Sequence, residues 1–263
     1  MPANMSKYGK IPFGGDFMHF EDNIAATGVA SGIVWGTGLV ALGSGLSLVS
    51  VNEGSFAWTI DEPGGILAIT TDTGDNDNAF VLAARLKPAD GGCEVESRIK
   101  VNDVAAAGVA VYSGLAETLA FDTPVMAAEF ATATMTYNGT GGMAGLLFDA
   151  DATALDWRAF QGDAAAGGTG SGTTGVRANE TMTADEWYVL RSEIDPAGTS
   201  RHYVGHKGGS NGQLLLVKEF GTAGITPTDV FYPTVGVENR SANAKIMEVD
   251  YLLGYGWRDW TVT

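Results

Sequence analysis

Three pairs of carboxylates fall two residues apart in this chain: Glu94 with Glu96, Glu193 with Asp195, and Glu248 with Asp250. In an extended segment, residues two apart share a face. Two carboxylates about 5 Å apart across one bond are what retaining glycoside hydrolysis needs, one as nucleophile and one as acid. None of the three pairs is completed by a third acid. Glu193-Ile-Asp195 runs into Pro196 and Ala197, and Glu248-Val-Asp250 into Tyr251 and Leu252. Glu94 and Glu96 are followed on the same face by Arg98 and Lys100, which are ordinary ion-pair partners. With 31 Asp and Glu against 15 Lys and Arg, such pairs arise by chance. No catalytic residue is assigned, and the chain is not expected to be an enzyme.

The remaining reactive groups give no stronger constellation. His202 and His206 share a strand face, but their Cα atoms would stand about 13 Å apart, too far for one metal ion. Asp72-Thr-Gly-Asp-Asn-Asp-Asn78 gathers hard oxygen ligands in one loop, yet lacks the loop glycine, the distal glutamate and the helical flanks of an EF-hand, so a solvated turn is expected. Cys93 is the only cysteine, which rules out an intrachain disulfide; in an apolar phase it reads as a small buried side chain. No serine, histidine and aspartate share nucleophile-elbow context, and no glycine loop matches a phosphate cradle. Asn138-Gly-Thr140 and Asn179-Glu-Thr181 match sequons only as chance triplets do. No cofactor and no metal are expected.

The elements that would carry these residues read as strands. In Lys245-Ile-Met-Glu-Val-Asp-Tyr-Leu-Leu253, alternation puts Met247, Val249, Tyr251 and Leu253 on one side and Glu248 and Asp250 on the other. Cys93 to Val101 alternates most cleanly: Cys93, Val95, Ser97, Ile99 and Val101 face in, and Glu94, Glu96, Arg98 and Lys100 face water. That outer row suits a strand with neighbours on both sides. Further strands are expected at 16–22, 65–71, 79–86, 108–112, 143–149, 157–161, 187–195, 202–206, 214–219 and 234–238, with strands and turns across 28–51. Such spacing indicates a sandwich or barrel. Leu115 to Leu119 and Met126 to Ala133 have helical composition, although a lid-like loop or turn would read the same, and Ala164 to Thr174 is a low-complexity loop. Residues 1–15 look like an extended arm with two lysines, and 16–263 like one β-sandwich domain.

Composition narrows the partners. A net charge of −16 opposes contact with nucleic acid and with anionic membrane, since both are negatively charged. No run approaches the ~20 apolar residues that cross a bilayer. The N-terminal residues show no charged region followed by an apolar core, so no signal peptide is expected.

One family pattern fits the order of strands. Phe20-Glu-Asp22 is followed by Gly65-Ile-Leu-Ala-Ile69, by the Glu-Val-Glu-Ser-Arg-Ile-Lys strand at 94–100, by Gly145-Leu-Leu-Phe-Asp149 with Trp157-Arg158, by Trp187-Tyr-Val-Leu-Arg191 with Glu193 and Asp195, and by Glu248-Val-Asp-Tyr251. Over residues 16 to 257 this resembles the concanavalin A-like lectin/glucanase jelly roll, in the version found among virion proteins of tailed bacteriophages. The resemblance implies an all-β sandwich of two antiparallel sheets with first and last strands adjacent. It also implies a non-enzymatic virion structural protein, a capsid decoration or cement protein at the capsid surface. Such a protein would bind the major capsid protein and itself, as a homotrimer or other small oligomer. The arm would dock through Lys7, Tyr8, Lys10, Ile11 and Phe13. An alternative is a tail-associated or receptor-binding lectin-like module that meets glycan through aromatics on a concave sheet, with Trp157 and Tyr203, and also Trp187, as contacts. A further alternative is a divergent glycoside hydrolase, although members with that activity carry Glu-x-Asp-x-x-Glu or Glu-x-Asp-x-Glu on one strand, which this chain does not complete. Trp257 and Trp260, beyond the last strand, would close the sandwich end or contact a neighbour.

Overall fold

Alternating β-branched and aromatic residues, punctuated by glycine, fold into strands almost throughout. The computed structural model describes residues 11–16, 33–34, 38–43, 46–50, 54–59, 66–83, 85–104, 108–117, 126–137, 141–163, 175–206, 212–221 and 224–256. In chain order the strands are β1 (Ile11–Asp16), β2 (Ile33–Val34), β3 (Gly38–Gly43), β4 (Leu46–Ser50), β5 (Ser55–Thr59), β6 (Ile66–Thr70), β7 (Asn78–Leu82), β8 (Cys93–Val101), β9 (Val109–Ala116) and β10 (Ala128–Ala131). They continue as β11 (Thr134–Tyr137), β12 (Gly142–Asp149), β13 (Asp156–Asp163), β14 (Val176–Thr181), β15 (Tyr188–Ile194), β16 (Ser200–His206), β17 (Leu215–Phe220), β18 (Tyr232–Asn239) and β19 (Ile246–Gly256). One short 3-10 turn, Pro88–Asp90, is the only helical element among the described residues, and no helix there is long and apolar enough to cross a membrane.

Two antiparallel sheets carry the fold. Sheet A runs β17-β16-β15-β8-β19-β6-β5-β2, with β1 paired to β19; sheet B runs β14-β13-β12-β9-β18-β7-β4-β3. The first and last described strands are therefore neighbours, Ile11 opposite Gly256 and Asp16 opposite Tyr251. Ile11–Asp16 of the expected arm is thus a strand of sheet A, and the boundary expected at residue 15 falls inside it. Residues 1–10, 17–22, 164–174, 257 and 260 lie outside the described residues.

The sheets close on one another through their inward residues. β8 buries Cys93, Val95, Ser97, Ile99 and Val101 fully, against Val109, Val111, Ser113 and Leu115 of β9 and Leu146 and Phe148 of β12. Sheet B buries its other face as well. Phe80, Tyr112, Leu147 and Phe160 form a second apolar cluster, roofed by the β10–β11 hairpin through Phe130 and Met135. Strands buried on both sides lose their polar alternation, and every residue of β9 and β12 is buried. Gly236 belongs to this packing: a methyl group there would lie 1.9 Å from the Phe80 ring, which crosses β18 at that point.

Two sequence expectations are overturned. Met126 to Ala133 holds β10 (Ala128–Ala131), a hairpin strand and not a helix. Ala128 and Phe130 point inward and Glu129 and Ala131 outward, a period of two that burial on sheet B imposes over alanine's helical preference. Leu115 and Ala116 likewise end β9. In β19 the alternation does not run through: Val249 is opposite Ile99 and Tyr251 opposite Arg98, so Asp250 is an extra residue. Such a bulge reverses the phase beyond it. Met247, Val249 and Leu252 face the core, and Tyr251 and Leu253 face outward with the charged row.

A buried polar chain ties the sheets together. Ser192 Oγ is 2.9 Å from His202 Nδ1, and Ser200 Oγ is 3.0 Å from His202 Nε2. Ser200 Oγ donates to Gln161 Oε1 of sheet B at 2.7 Å, so it must accept from Nε2–H, and Ser192 then donates to Nδ1. Gln161 Nε2 donates onward to the Gly221 carbonyl at 2.9 Å. Every link runs one way around a neutral imidazole. Burial pushes His202 down from its ordinary 6.5 to about 3. Between those values the unfolded chain binds a proton that the folded protein refuses. Stability therefore falls as pH drops through that window, by up to about 1.4 kcal/mol per pH unit. Urea unfolding across the window is expected to show this slope, and His202→Gln to flatten it while costing about 1–3 kcal/mol at neutral pH. An equal acid slope in the variant would show that another group sets it.

Candidate functional site

The same-face carboxylate pairs sit on the outer face of sheet A, and each is engaged by a cation. Arg191 on β15 reaches Glu94 at 3.1 Å, Glu193 at 2.7 Å and Glu96 at 3.8 Å. Lys100 pairs with Glu248 at 2.7 Å and Arg98 with Asp250 at 2.5 Å. Asp195 caps a turn, accepting from the backbone N–H of Ala197 and of Thr199, both at 2.9 Å. These carboxylates are structural ion pairs and caps, which is the chemistry the β8 row of two acids and two bases implies.

The acidic loop at 72–78 is held by the protein's own donors. Asn239 Nδ2 donates to the carbonyls of Asp72 and Gly74 at 3.2 and 3.0 Å, and Arg240 Nη1 to Asn76 Oδ1 at 2.9 Å. The Arg240 side chain is nearly buried among Glu238 at 3.0 Å, Asp149 at 2.8 Å and Glu129 at 3.3 Å. Asp149 also accepts from Phe130 N at 2.7 Å, so the cage fastens the hairpin that roofs sheet B. Among the described residues, no group of three or more His, Cys, Asp or Glu could hold a metal ion.

One open cleft of about 700 Å³ is lined by Arg98, Asp185, Glu186, Trp187, Val189, Gly205, His206 and Gly212. Its walls come from five places: β8, the loop between β14 and β15, β15 itself, the end of β16, and the turn before β17. The Asp185 N–H bonds the Val101 carbonyl at 2.8 Å, which pins the loop beside β8. Beneath it, Thr183 N donates to the Tyr188 hydroxyl at 2.8 Å, and that hydroxyl donates to the Thr181 carbonyl at 3.1 Å. Trp187 is half-buried, with the Arg98 guanidinium carbon 4.4 Å and Lys100 Nζ 5.1 Å from its ring. A row of rings leads from the core to the cleft floor: Phe148 to Trp157 at 5.9 Å, Trp157 to Tyr188 at 6.0 Å, and Tyr188 stacked on His206 at 4.3 Å.

The residues expected to act divide sharply. Trp157 is fully buried between the sheets and presents no face to a sugar, because its β13 phase points inward. Tyr203 is on the outer face of sheet A, 5.9 Å from the Arg191 guanidinium carbon, and is not a cleft wall. Trp187, the third aromatic, is a wall. His202 and His206 point to the same face but take separate partners. Of the arm residues, Lys7, Tyr8 and Lys10 lie outside the described residues, while Ile11 and Phe13 are in β1, opposite Gly256 and Gly254. Asp185, Glu186 and Glu180 have no local mark of a site, and Arg98 reads from sequence only as an ion-pair partner; the meeting of β8, β14, β15 and β16 brings them together.

No family model matches the sequence, and no curated protein matches it. Among solved structures, a protein of unknown function from Shewanella oneidensis MR-1 superposes over 97% of this chain and 95% of its own, with 14% identity and a TM-score of 0.54. Lectin II from Ulex europaeus superposes over 87% of this chain and 100% of its own, with 10% identity and a TM-score of 0.53. The chain has the lectin-type, concanavalin A-like jelly-roll fold.

The Arg240 cage sets a second pH dependence. Burial raises Glu238 from 4.5 to about 8; Glu129 and Asp149 add to the rise, and Arg240 and Asn78 oppose it. The folded protein keeps a proton there that the unfolded chain gives up, so stability falls as pH rises from 4.5 to about 8. Glu238→Gln is expected to remove that alkaline decline in melting temperature. A decline of unchanged size would assign it elsewhere.

Proposed function

We propose that the protein is a non-enzymatic glycan-binding module whose site is the cleft between the β14–β15 loop and the end of β16. The observation that carries this reading is the half-buried Trp187 ring at an open cleft whose other walls include Arg98, Asp185 and Glu186. An indole offers an apolar face to the C–H side of a sugar ring, and the charged groups around it offer acceptors and donors for hydroxyls. A neighbour in fold is named as a lectin. Fold alone does not carry function, so the support from the cleft weighs more. The ion-paired state of the same-strand carboxylates on sheet A supports binding without turnover. The capsid-decoration reading depends on an arm over residues 1–15, and Ile11–Asp16 pair with β19.

An array of neutral oligosaccharides followed by titration calorimetry tests the proposal. Saturable binding is expected, weakened by Trp187→Ala by about 2 kcal/mol, or roughly 30-fold. Tyr203→Ala should leave it unchanged. Binding that ignores Trp187→Ala would move the site elsewhere, and absence of binding to the whole array would sink the reading.

A further inference from the structure

At the floor of the cleft, two carboxylates close on one imidazole. His206 is 7% exposed and lies on Tyr188 with the ring planes 14° apart. Its Nδ1 is 2.7 Å from Glu180 Oε1 on β14, and its Nε2 hydrogen-bonds Glu186 Oε2 on the loop that follows. A charged carboxylate only accepts. Each contact therefore needs a proton between nitrogen and oxygen, and a neutral imidazole supplies one. Glu180, His206 and Glu186 together hold two protons in this geometry, and loss of the second undoes one contact.

Exposure decides which contact goes. The Glu180 side chain is 21% exposed and that of Glu186 46%, so water replaces the imidazole more readily at Glu186. Among the described residues, charged and titratable groups that touch the ring or line the cleft with it are Glu180 on β14, Asp185 and Glu186 on the loop, Tyr188 on β15 and Arg98 on β8. The Tyr188 hydroxyl is committed to Thr183 and Thr181, and Arg98 to Asp250. Glu186 both lines the cleft and bonds the ring.

We infer that His206 is a positioning residue: through the hydrogen bond at its Nε2 it holds the Glu186 carboxylate in the cleft as a fixed acceptor for ligand hydroxyls, and binding weakens when that hydrogen bond is removed. This rests on the cleft being the glycan site. The side chain of His206 does not itself need to touch the ligand.

Two measurements on the full chain separate the inference from the reading beneath it. The first is the imidazole region of the 1H–15N spectrum, with His206 assigned by loss of its signals in His206→Gln. A ring N–H signal from Nε2 is expected, displaced by the Glu186 carboxylate, and Glu186→Ala should move it. A signal that Glu186→Ala leaves in place would overturn the inference. The second is affinity for a set of mannosyl, galactosyl and N-acetylglucosaminyl oligosaccharides. His206→Ala is expected to weaken it about tenfold, His206→Gln, which keeps a donor, to restore most of the loss, and His206→Ala to cost nothing further in the Glu186→Ala background. Absence of saturable binding overturns the glycan reading and the role of His206 in it together. Binding that His206→Ala leaves unchanged, or a loss of the same size in the Glu186→Ala background, overturns the inference alone.

Discussion

Covering both faces of sheet B is the constraint from which most of the molecule follows. A sheet with one wet face can keep polar residues at every second position. Sheet B cannot, because sheet A closes one side and the β10–β11 hairpin the other. Its central strands β9 and β12 are buried along their whole length, Gly236 must leave room for the Phe80 ring, and an alanine-rich segment becomes strand. Tyr137 completes the roof by donating from its hydroxyl to the Gln161 carbonyl at 2.9 Å.

Polar groups caught inside such a sandwich have to find partners, since an unsatisfied buried donor or acceptor costs about 1–3 kcal/mol. The His202 chain and the Arg240 cage meet this differently, and the cage leaves Arg240 Nε and Glu238 Oε1 without a hydrogen bond. The first is neutral and directional, with each hydroxyl donating to the next acceptor. The second sets one guanidinium among three carboxylates, and a proton on Glu238 leaves the cation facing two. Their effects on stability oppose one another where the two titration windows overlap, which favours a plateau at mildly acidic pH.

The cleft draws its rigidity from the core. Its floor, His206, stacks on Tyr188, which packs on Trp157, which packs on Phe148. The loop bearing Asp185, Glu186 and Trp187 is held from below by the Tyr188 hydroxyl and from the side by the Val101 carbonyl. A binding group held on a rigid scaffold loses less freedom when a ligand arrives. That is the physical case for placing recognition here and not among the ion pairs of the open sheet face, where the charges already satisfy one another.

Much of the architecture was legible in the chain. The alternation from Cys93 to Val101 predicts β8 to the residue, and glycine-bounded apolar runs locate most of the other strands. Periodicity is local, and it survives wherever one face of a strand stays wet. It failed at Asp250, where a bulge reverses the phase, and in β10, where packing on sheet B outweighs helical propensity. It failed again at Trp157 and Trp187, two tryptophans in similar strand-like surroundings, one of which is core and the other a cleft wall. The sequence by itself determined an all-β sandwich with an acidic surface and no completed catalytic motif, because those properties reside in neighbouring residues and in composition. Only the tertiary structure decided the site, because Arg98, Glu180, Glu186 and His206 meet through the pairing of distant strands, a long-range packing choice that no local pattern encodes.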